Sequence, residues 1–290
     1  MDRLAKSAFQ SQHSLVHPLK THVKSLLGLL GRFPVLRHFF RHAFVRRYLE
    51  KIPGSQYLYG GMFRTHPFDS AHGIATSGNE LPRDFLAQDS AVENAFAYLG
   101  SQPSVIRQAL SMLPSVYHAT FMDIGCGKGR PLFVATEFPF KGIVGVELSP
   151  RLAAIARRNA ATMRTRYPDR TPVRIALADA STFAMPAGDL VIFMYHPFGE
   201  AAMQKLLARI ETALAGEERR SICVIYYNPV LARLFDASPF LHRRFAGMLP
   251  YSAEEIGYGL DLREDPITIW QGGSAPVISA RATSTGSSTQ

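Results

Sequence analysis

The chain has 290 residues and is 47% hydrophobic, enough apolar material for one full-size α/β domain with an extension. Two isolated cysteines, Cys126 and Cys223, argue against a disulfide framework or zinc site, and no apolar run approaches the roughly 20 residues that span a bilayer. The formal net charge is +9, and the start lacks the apolar stretch of a secretory leader, so a cytoplasmic protein is expected.

Residues 1–52 read as a basic amphipathic helical extension. Leu26, Leu27, Leu29, Leu30, Val35, Leu36, Phe39, Phe40, Phe44, Val45 and Leu49 recur at helical spacing, interrupted at Pro34. Ten Lys and Arg stand there against two acids, nearly the whole charge excess, so the remainder of the chain is expected to be close to neutral and no obvious binder of nucleic acid or another polyanion. Three readings stay open: a cap packed on the rest of the chain, a peripheral contact with an anionic membrane, or a transit or nucleic-acid-binding segment. His13/His17 and His38/His42 have i, i+4 spacing, but arginines around them and the lack of acids argue against a metal.

Residues 53–118 read as a cap or lid segment. It is turn-rich from Pro53-Gly54 to Pro82, with predicted helices at Ser90–Leu99 and Ser104–Leu113, and Thr76, Ser77 and Asn79 lie in a polar loop. From 119 to 273, short apolar runs alternate with amphipathic ones. Strands are predicted at 119–123, 142–147, 173–178, 190–195 and 221–227, with helices at 130–137, 150–166 and 200–214. That alternation predicts a mostly parallel sheet covered on both faces, a Rossmann-like doubly wound α/β fold. Phe240–Ala246 and Pro266–Gln271 read as a closing hairpin. Residues 274–290, rich in Ser, Thr, Ala and Gly, read as a disordered tail.

The most informative stretch is Asp123-Ile124-Gly125-Cys126-Gly127-Lys128-Gly129-Arg130, placed between a predicted strand and a predicted helix. Glycines at alternate positions let the backbone turn sharply and a ligand approach closely. Glu147 ends the second predicted strand, where a carboxylate can accept bonds from both hydroxyls of a ribose. Asp179, followed by Ala180, ends the third, within reach of an adenine amino group. A dinucleotide fingerprint wants glycine or alanine three positions after Gly127; Arg130 stands there, which counts against an NAD(P) oxidoreductase.

On these residues the segment 119–215 resembles class I S-adenosylmethionine-dependent methyltransferases. The longer run from Phe68-Asp69 and His72-Gly73 through Thr76-Ser77-Gly78 to the glycine loop is similar to a little-characterised bacterial group of such proteins. The resemblance implies a seven-stranded sheet and S-adenosyl-L-methionine as cofactor. It further implies Asp123, Gly125, Cys126, Gly127 and Gly129 at the methionine end, Glu147 and Leu148 at the ribose, and Asp179 and Ala180 at the adenine. A non-catalytic binder of the same cofactor is the rival reading.

The acceptor side is expected after the fourth strand, at Tyr195-His196-Pro197-Phe198. Amino methyltransferases carry Asn/Asp/Ser-Pro-Pro-aromatic at this place; Pro197 and Phe198 fit, while His196 and the missing second proline depart from it. His196 reads either as a general base with Tyr195 beside it or as a loop cap. Tyr227 and Asn228, ending the fifth strand, read either as acceptor-pocket walls or as ordinary strand and turn residues. Lys128 is expected to be solvated, and Arg130 to meet the methionine carboxylate or water. The acceptor, a small or lipid-like molecule or a protein taking methyl on N or O, is left open.

Overall fold

The computed structural model describes residues 65–78, 98–216, 220–258 and 263–273. The extension 1–52, the tail 274–290, Asn79 and most of the predicted helix Ser90–Leu99 lie outside them. Of that helix only Tyr98 and Leu99 are described, and Tyr98 forms an isolated β-bridge instead.

Two helices precede the sheet: α1 (Pro67–His72), in the stretch read as turns, and α2 (Pro103–Ser111). Then come β1 (Thr120–Ile124), α3 (Arg130–Ala135), β2 (Gly142–Glu147), α4 (Pro150–Arg166), β3 (Val173–Leu177), β4 (Leu190–Tyr195), α5 (Glu200–Ala215) and β5 (Ser221–Tyr227). A short α6 (Ala232–Asp236), which no periodicity announced, leads to β6 (His242–Pro250) and β7 (Glu264–Gly273).

The seven strands form one sheet in the order β3-β2-β1-β4-β5-β7-β6. Strands β1 to β5 pair in parallel, and β7 runs antiparallel to both its neighbours, β5 and β6. The expected hairpin is therefore present, although β6 reaches four residues further than its apolar pattern, to Pro250. It can do so because it is an edge strand with mostly exposed side chains and needs no continuous apolar run.

Every residue of β5 is buried, as are nearly all those of β1 and β4, because helices cover both faces of the sheet. Phe121, Phe133, Phe193, Ile225, Tyr227 and Ile267 belong to one core. Met122, Ile124, Ile192, Val224, Tyr226 and Trp270 fill the opposite one. Alternate residues of one strand serve opposite cores, which is why the runs read as continuously apolar. Phe68 and Ile74 from the α1 region, and Val105, Ile106 and Ala109 of α2, join the first core, so these described parts of 53–118 pack as one body with the sheet.

Helix α4 starts where Ser149 accepts a hydrogen bond from the Leu152 amide at 3.2 Å, with Pro150 in the first turn. Strand order reverses between β1, whose chain leads outward to β2 and β3, and β4 on its other side. The crevice outside the carboxyl ends of such a pair is where open α/β sheets bind ligands.

Candidate functional site

The loop after β1 turns on three glycines with positive φ: +73° at Gly125, +55° at Gly127 and +92° at Gly129. The amides of Gly125 and Cys126 both donate to the Val146 carbonyl of β2, at 2.9 and 3.0 Å, fixing the loop against the next strand. A Cβ on Gly127 would lie 2.3 Å from the Tyr98 ring, so this position tolerates no side chain on steric as well as conformational grounds.

Two carboxyl groups meet under this loop. Asp123 is 2% exposed, and its Oδ2 has no hydrogen-bond partner among the described residues. Burial, and then the charge of Glu147, push its pKa well above the usual carboxylate range. Glu147 is itself buried; its oxygens accept from the Gly127 amide at 2.8 Å and the Ser149 amide at 2.7 Å. Burial raises its pKa, and these backbone bonds oppose the rise. Each carboxylate oxygen offers two lone pairs, so both retain acceptor capacity.

Asp179 lies two residues beyond β3, exposed, with Oδ1 accepting from the Ser181 amide at 2.8 Å; Ala180 is buried and Leu148 exposed. The third acid is thus a loop residue rather than the end of a strand, because pairing stops at Leu177.

On the β4 side of the crevice, Pro197 comes within 3.1 Å of where a Gly125 Cβ would stand, so the two loops are in contact. His196 has φ +38° and Asn228 φ +54°, the only two non-glycine residues with positive φ among the described residues. Such conformations cost roughly 1–3 kcal/mol and concentrate at functional sites. His196 Nδ1 lies 2.5 Å from the Tyr226 hydroxyl, with the two rings nearly parallel. Partial burial lowers the His196 pKa, so the ring is neutral at pH 7. With Tyr226 donating, Nε2 carries the ring proton and is a donor; with Nδ1 donating, Nε2 is an acceptor.

A family model described as a methyltransferase domain matches residues 121–216. Those residues hold the glycine loop, all three acids and His196. Over that stretch the chain matches a methyltransferase domain.

Solved structures similar to this chain include an RNA methyltransferase from Salinibacter ruber in complex with S-adenosyl-L-homocysteine. It is 16% identical, with a TM-score of 0.42, over 61% of this chain and 95% of that one. A TehB-like SAM-dependent methyltransferase from Corynebacterium glutamicum is 16% identical, at TM-score 0.38, over 59% and 88%. The 23S rRNA methyltransferase ErmE is 13% identical, at TM-score 0.40, over 61% and 70%. These likenesses are too distant to carry chemistry across. A comparison with curated proteins gives no match.

The structure departs from the sequence expectations at further places. Lys128 is not solvated: it is buried, its Nζ donates to the Ser77 carbonyl at 2.7 Å and lies 4.9 Å from the Tyr98 ring centroid. Arg130 faces neither water nor the crevice. It is 3% exposed and donates from Nε to Thr76 Oγ1 at 2.7 Å, and from its terminal nitrogens to the carbonyls of Ser101 and Thr76, each at 3.1 Å. Tyr227 is core rather than pocket wall: 1% exposed, it accepts from the Gln102 amide at 3.2 Å and donates to Asp265, which also takes the Tyr251 hydroxyl at 2.7 Å. Tyr195 stacks against Tyr227 at 4.4 Å, and burial raises its pKa.

The reason for the first two departures is a strap within the segment read as a cap or lid. Asp69 of α1 is buried and accepts from the Thr76 and Ser77 amides, both at 2.7 Å, and from both hydroxyls. Asn159 of α4 brackets Ala75, accepting from its amide at 3.0 Å and donating to its carbonyl at 3.2 Å. The Tyr98 hydroxyl donates to the Thr76 carbonyl at 2.7 Å. Residues 66–78 are thereby pinned across the glycine loop, with Lys128 and Arg130 as the ties. The signal was available in Phe68-Asp69 to Ser77-Gly78, but no local rule couples it to a loop fifty residues away.

The residues at the crevice fit the cofactor of this class. The buried, partnerless oxygen of Asp123 wants a cationic or hydrogen-donating group, and S-adenosylmethionine carries both an ammonium and a sulfonium.

Proposed function

We propose that Asp123, Glu147 and the loop Gly125, Cys126, Gly127 and Gly129 hold S-adenosylmethionine, and that the methyl group leaves in line toward an acceptor at His196, Pro197 and Phe198. The observation that carries this reading is Oδ2 of Asp123, buried with no hydrogen-bond partner among the described residues, at the strand-order reversal and next to Glu147. In this reading Asp123 faces the methionine end. Glu147 uses its remaining lone pairs for the ribose hydroxyls. Leu148, Asp179 and Ala180 flank the adenine, Leu148 and Asp179 being exposed enough to meet it.

The sulfonium supplies an activated methyl group, so the chain's own work is alignment more than acid–base chemistry. His196 is neutral at working pH and suits it to accept or share the proton that a nitrogen or oxygen nucleophile releases. The ring contact between Pro197 and Gly125 supports placing the acceptor directly beside the donor loop. Tyr195 is half-buried and packs on Tyr227 rather than on His196; Asn228, in left-handed backbone at the end of β5, stands on the same rim.

For the acceptor we favour a small or lipid-like molecule over a protein, because the apolar, basic residues 1–52 suit a peripheral membrane position. Among the described residues no helix is long and apolar enough to cross a membrane.

Calorimetric titration of the intact chain with S-adenosylmethionine, S-adenosylhomocysteine and NAD tests the donor side. Binding of the first two and not of NAD is expected. Glu147→Gln removes charge-assisted bonds worth about 1.5–3 kcal/mol, a loss of roughly 10- to 150-fold in affinity. An intact chain that binds neither adenosyl compound, or a Glu147→Gln variant that binds them unchanged, defeats the reading. A radiolabelled methyl-transfer screen over fractionated extract then identifies the acceptor.

A further inference from the structure

The expectation that the chain beyond residue 52 is neutral holds for the sum and fails locally. Helix α4 carries five arginines, Arg151, Arg157, Arg158, Arg164 and Arg166, and no acid in its 17 residues. From 150 to 174, seven arginines stand against one acid, Asp169. All five helix arginines are exposed, because the apolar stripe Leu152, Ala153, Ala156 and Met163 is turned into the sheet.

Elsewhere Arg107 pairs with Glu137, Arg233 with Glu200 and Arg243 with Asp236. Among the described residues no carboxylate pairs with Arg157, Arg158, Arg164 or Arg166. Tyr167, at the end of the helix, lies between the guanidinium groups of Arg166 and Arg170, whose Cζ atoms are 6.0 and 4.0 Å from the ring centroid.

We propose that the arginine face of α4 is a binding surface for the phosphodiester backbone of a nucleic acid. The helix is about 25 Å long, which runs beside roughly seven phosphates of one strand. Every cation in the stretch is arginine, whose planar fork matches phosphate oxygens and whose face stacks on rings. An acidic membrane would fit less well. A helix lying on lipid needs an apolar face to insert, and α4 exposes no large apolar side chain. The surface begins at Ser149-Pro150, two residues past Glu147, so a strand lying along it leads to the rim of the crevice. The inference does not depend on how the cofactor is held, and a failed cofactor titration leaves it standing.

The test uses the full chain and a triple variant, Arg157→Gln with Arg158→Gln and Arg164→Gln. Fluorescence anisotropy follows binding of an oligouridylate of about 20 nucleotides across roughly 50–200 mM potassium chloride. The intact chain is expected to bind with steep salt dependence. In the variant the slope of log affinity against log salt falls by about 2, at roughly 0.7 per lost phosphate contact, and affinity at the lowest salt drops about tenfold or more. S-adenosylmethionine affinity and the circular dichroism spectrum, both unchanged, show that the fold is intact. An unaltered slope and affinity overturns the proposal, as does an intact chain that binds no oligonucleotide. Loss of sedimentation with phosphatidylserine vesicles while oligonucleotide binding persists overturns it in favour of a lipid surface.

Discussion

Asp123→Asn should move stability and cofactor affinity in opposite directions. The substitution keeps size and shape and deletes one charge. In the ligand-free protein that charge is buried, lacks a partner at Oδ2 and faces Glu147, and both burial and Glu147 raise its pKa. An uncompensated buried polar group costs about 1–3 kcal/mol and more when charged, so replacing the charge by a neutral amide should stabilise the free protein by about 2 kcal/mol. For a protein of this size that is a rise in Tm of roughly 4–8 °C.

The pH dependence follows from the direction of the shift. A carboxyl whose folded pKa lies above its unfolded value binds its proton more tightly when folded. Relative to the charged form, the fold is therefore favoured at low pH and loses stability as pH rises through the folded pKa. The Tm advantage of Asp123→Asn should be absent below about pH 4, near the unfolded value, and grow as pH rises above it. Saturating S-adenosylmethionine should shrink that advantage at pH 7, and reverse it once the affinity loss exceeds about 30-fold, because wild type gains the counter-charge and the variant binds roughly 10- to 150-fold more weakly. Differential scanning fluorimetry from acid to neutral pH, with and without cofactor, reads both effects. A variant less stable than wild type at every pH, with unchanged cofactor affinity, would refute the idea that Asp123 is held in waiting for a cation.

Asp69→Asn leaves one oxygen where four donors converge, so the strap over the glycine loop should loosen; hydrogen exchange at 66–78 and 125–130 is expected to accelerate, with weaker cofactor binding. Protection equal to wild type would show that the strap is held by its other contacts. Gly127→Ala places a Cβ 2.3 Å from Tyr98 at φ +55° and should cost at least about 1–2 kcal/mol, part of it regained in a Gly127→Ala/Tyr98→Ala double variant. Additive losses in that pair would mean the ring is not the obstacle. His196→Ala is expected to lower kcat far more than it weakens cofactor binding, and Tyr226→Phe to shift the pH profile of kcat by removing the ring's partner. Equal losses in turnover and cofactor affinity would move His196 from the acceptor side to the donor side.

The amino-acid sequence by itself determined where the parallel strands run and that Asp123 and Glu147 stand at strand ends. A strand buried on both faces must be apolar throughout, so Phe121–Ile124, Ile143–Val146 and Leu190–Met194 announce themselves in any order. A backbone at φ +55° to +92° selects glycine, so Gly125, Gly127 and Gly129 do too. Only the tertiary structure decided which way neighbouring residues face and which distant groups meet. In β5 the pattern Tyr226-Tyr227 is the same apolar run from either side. Pairing with Met194 and Tyr195 sends Tyr226 to His196 and Tyr227 into the core against Asp265. Lys128 and Arg130 look like solvent-facing cations until Asp69 folds Thr76 and Ser77 back over them. Periodicity and turn chemistry act over a few residues, whereas these partners lie tens of residues apart in the chain and are joined only when the sheet closes.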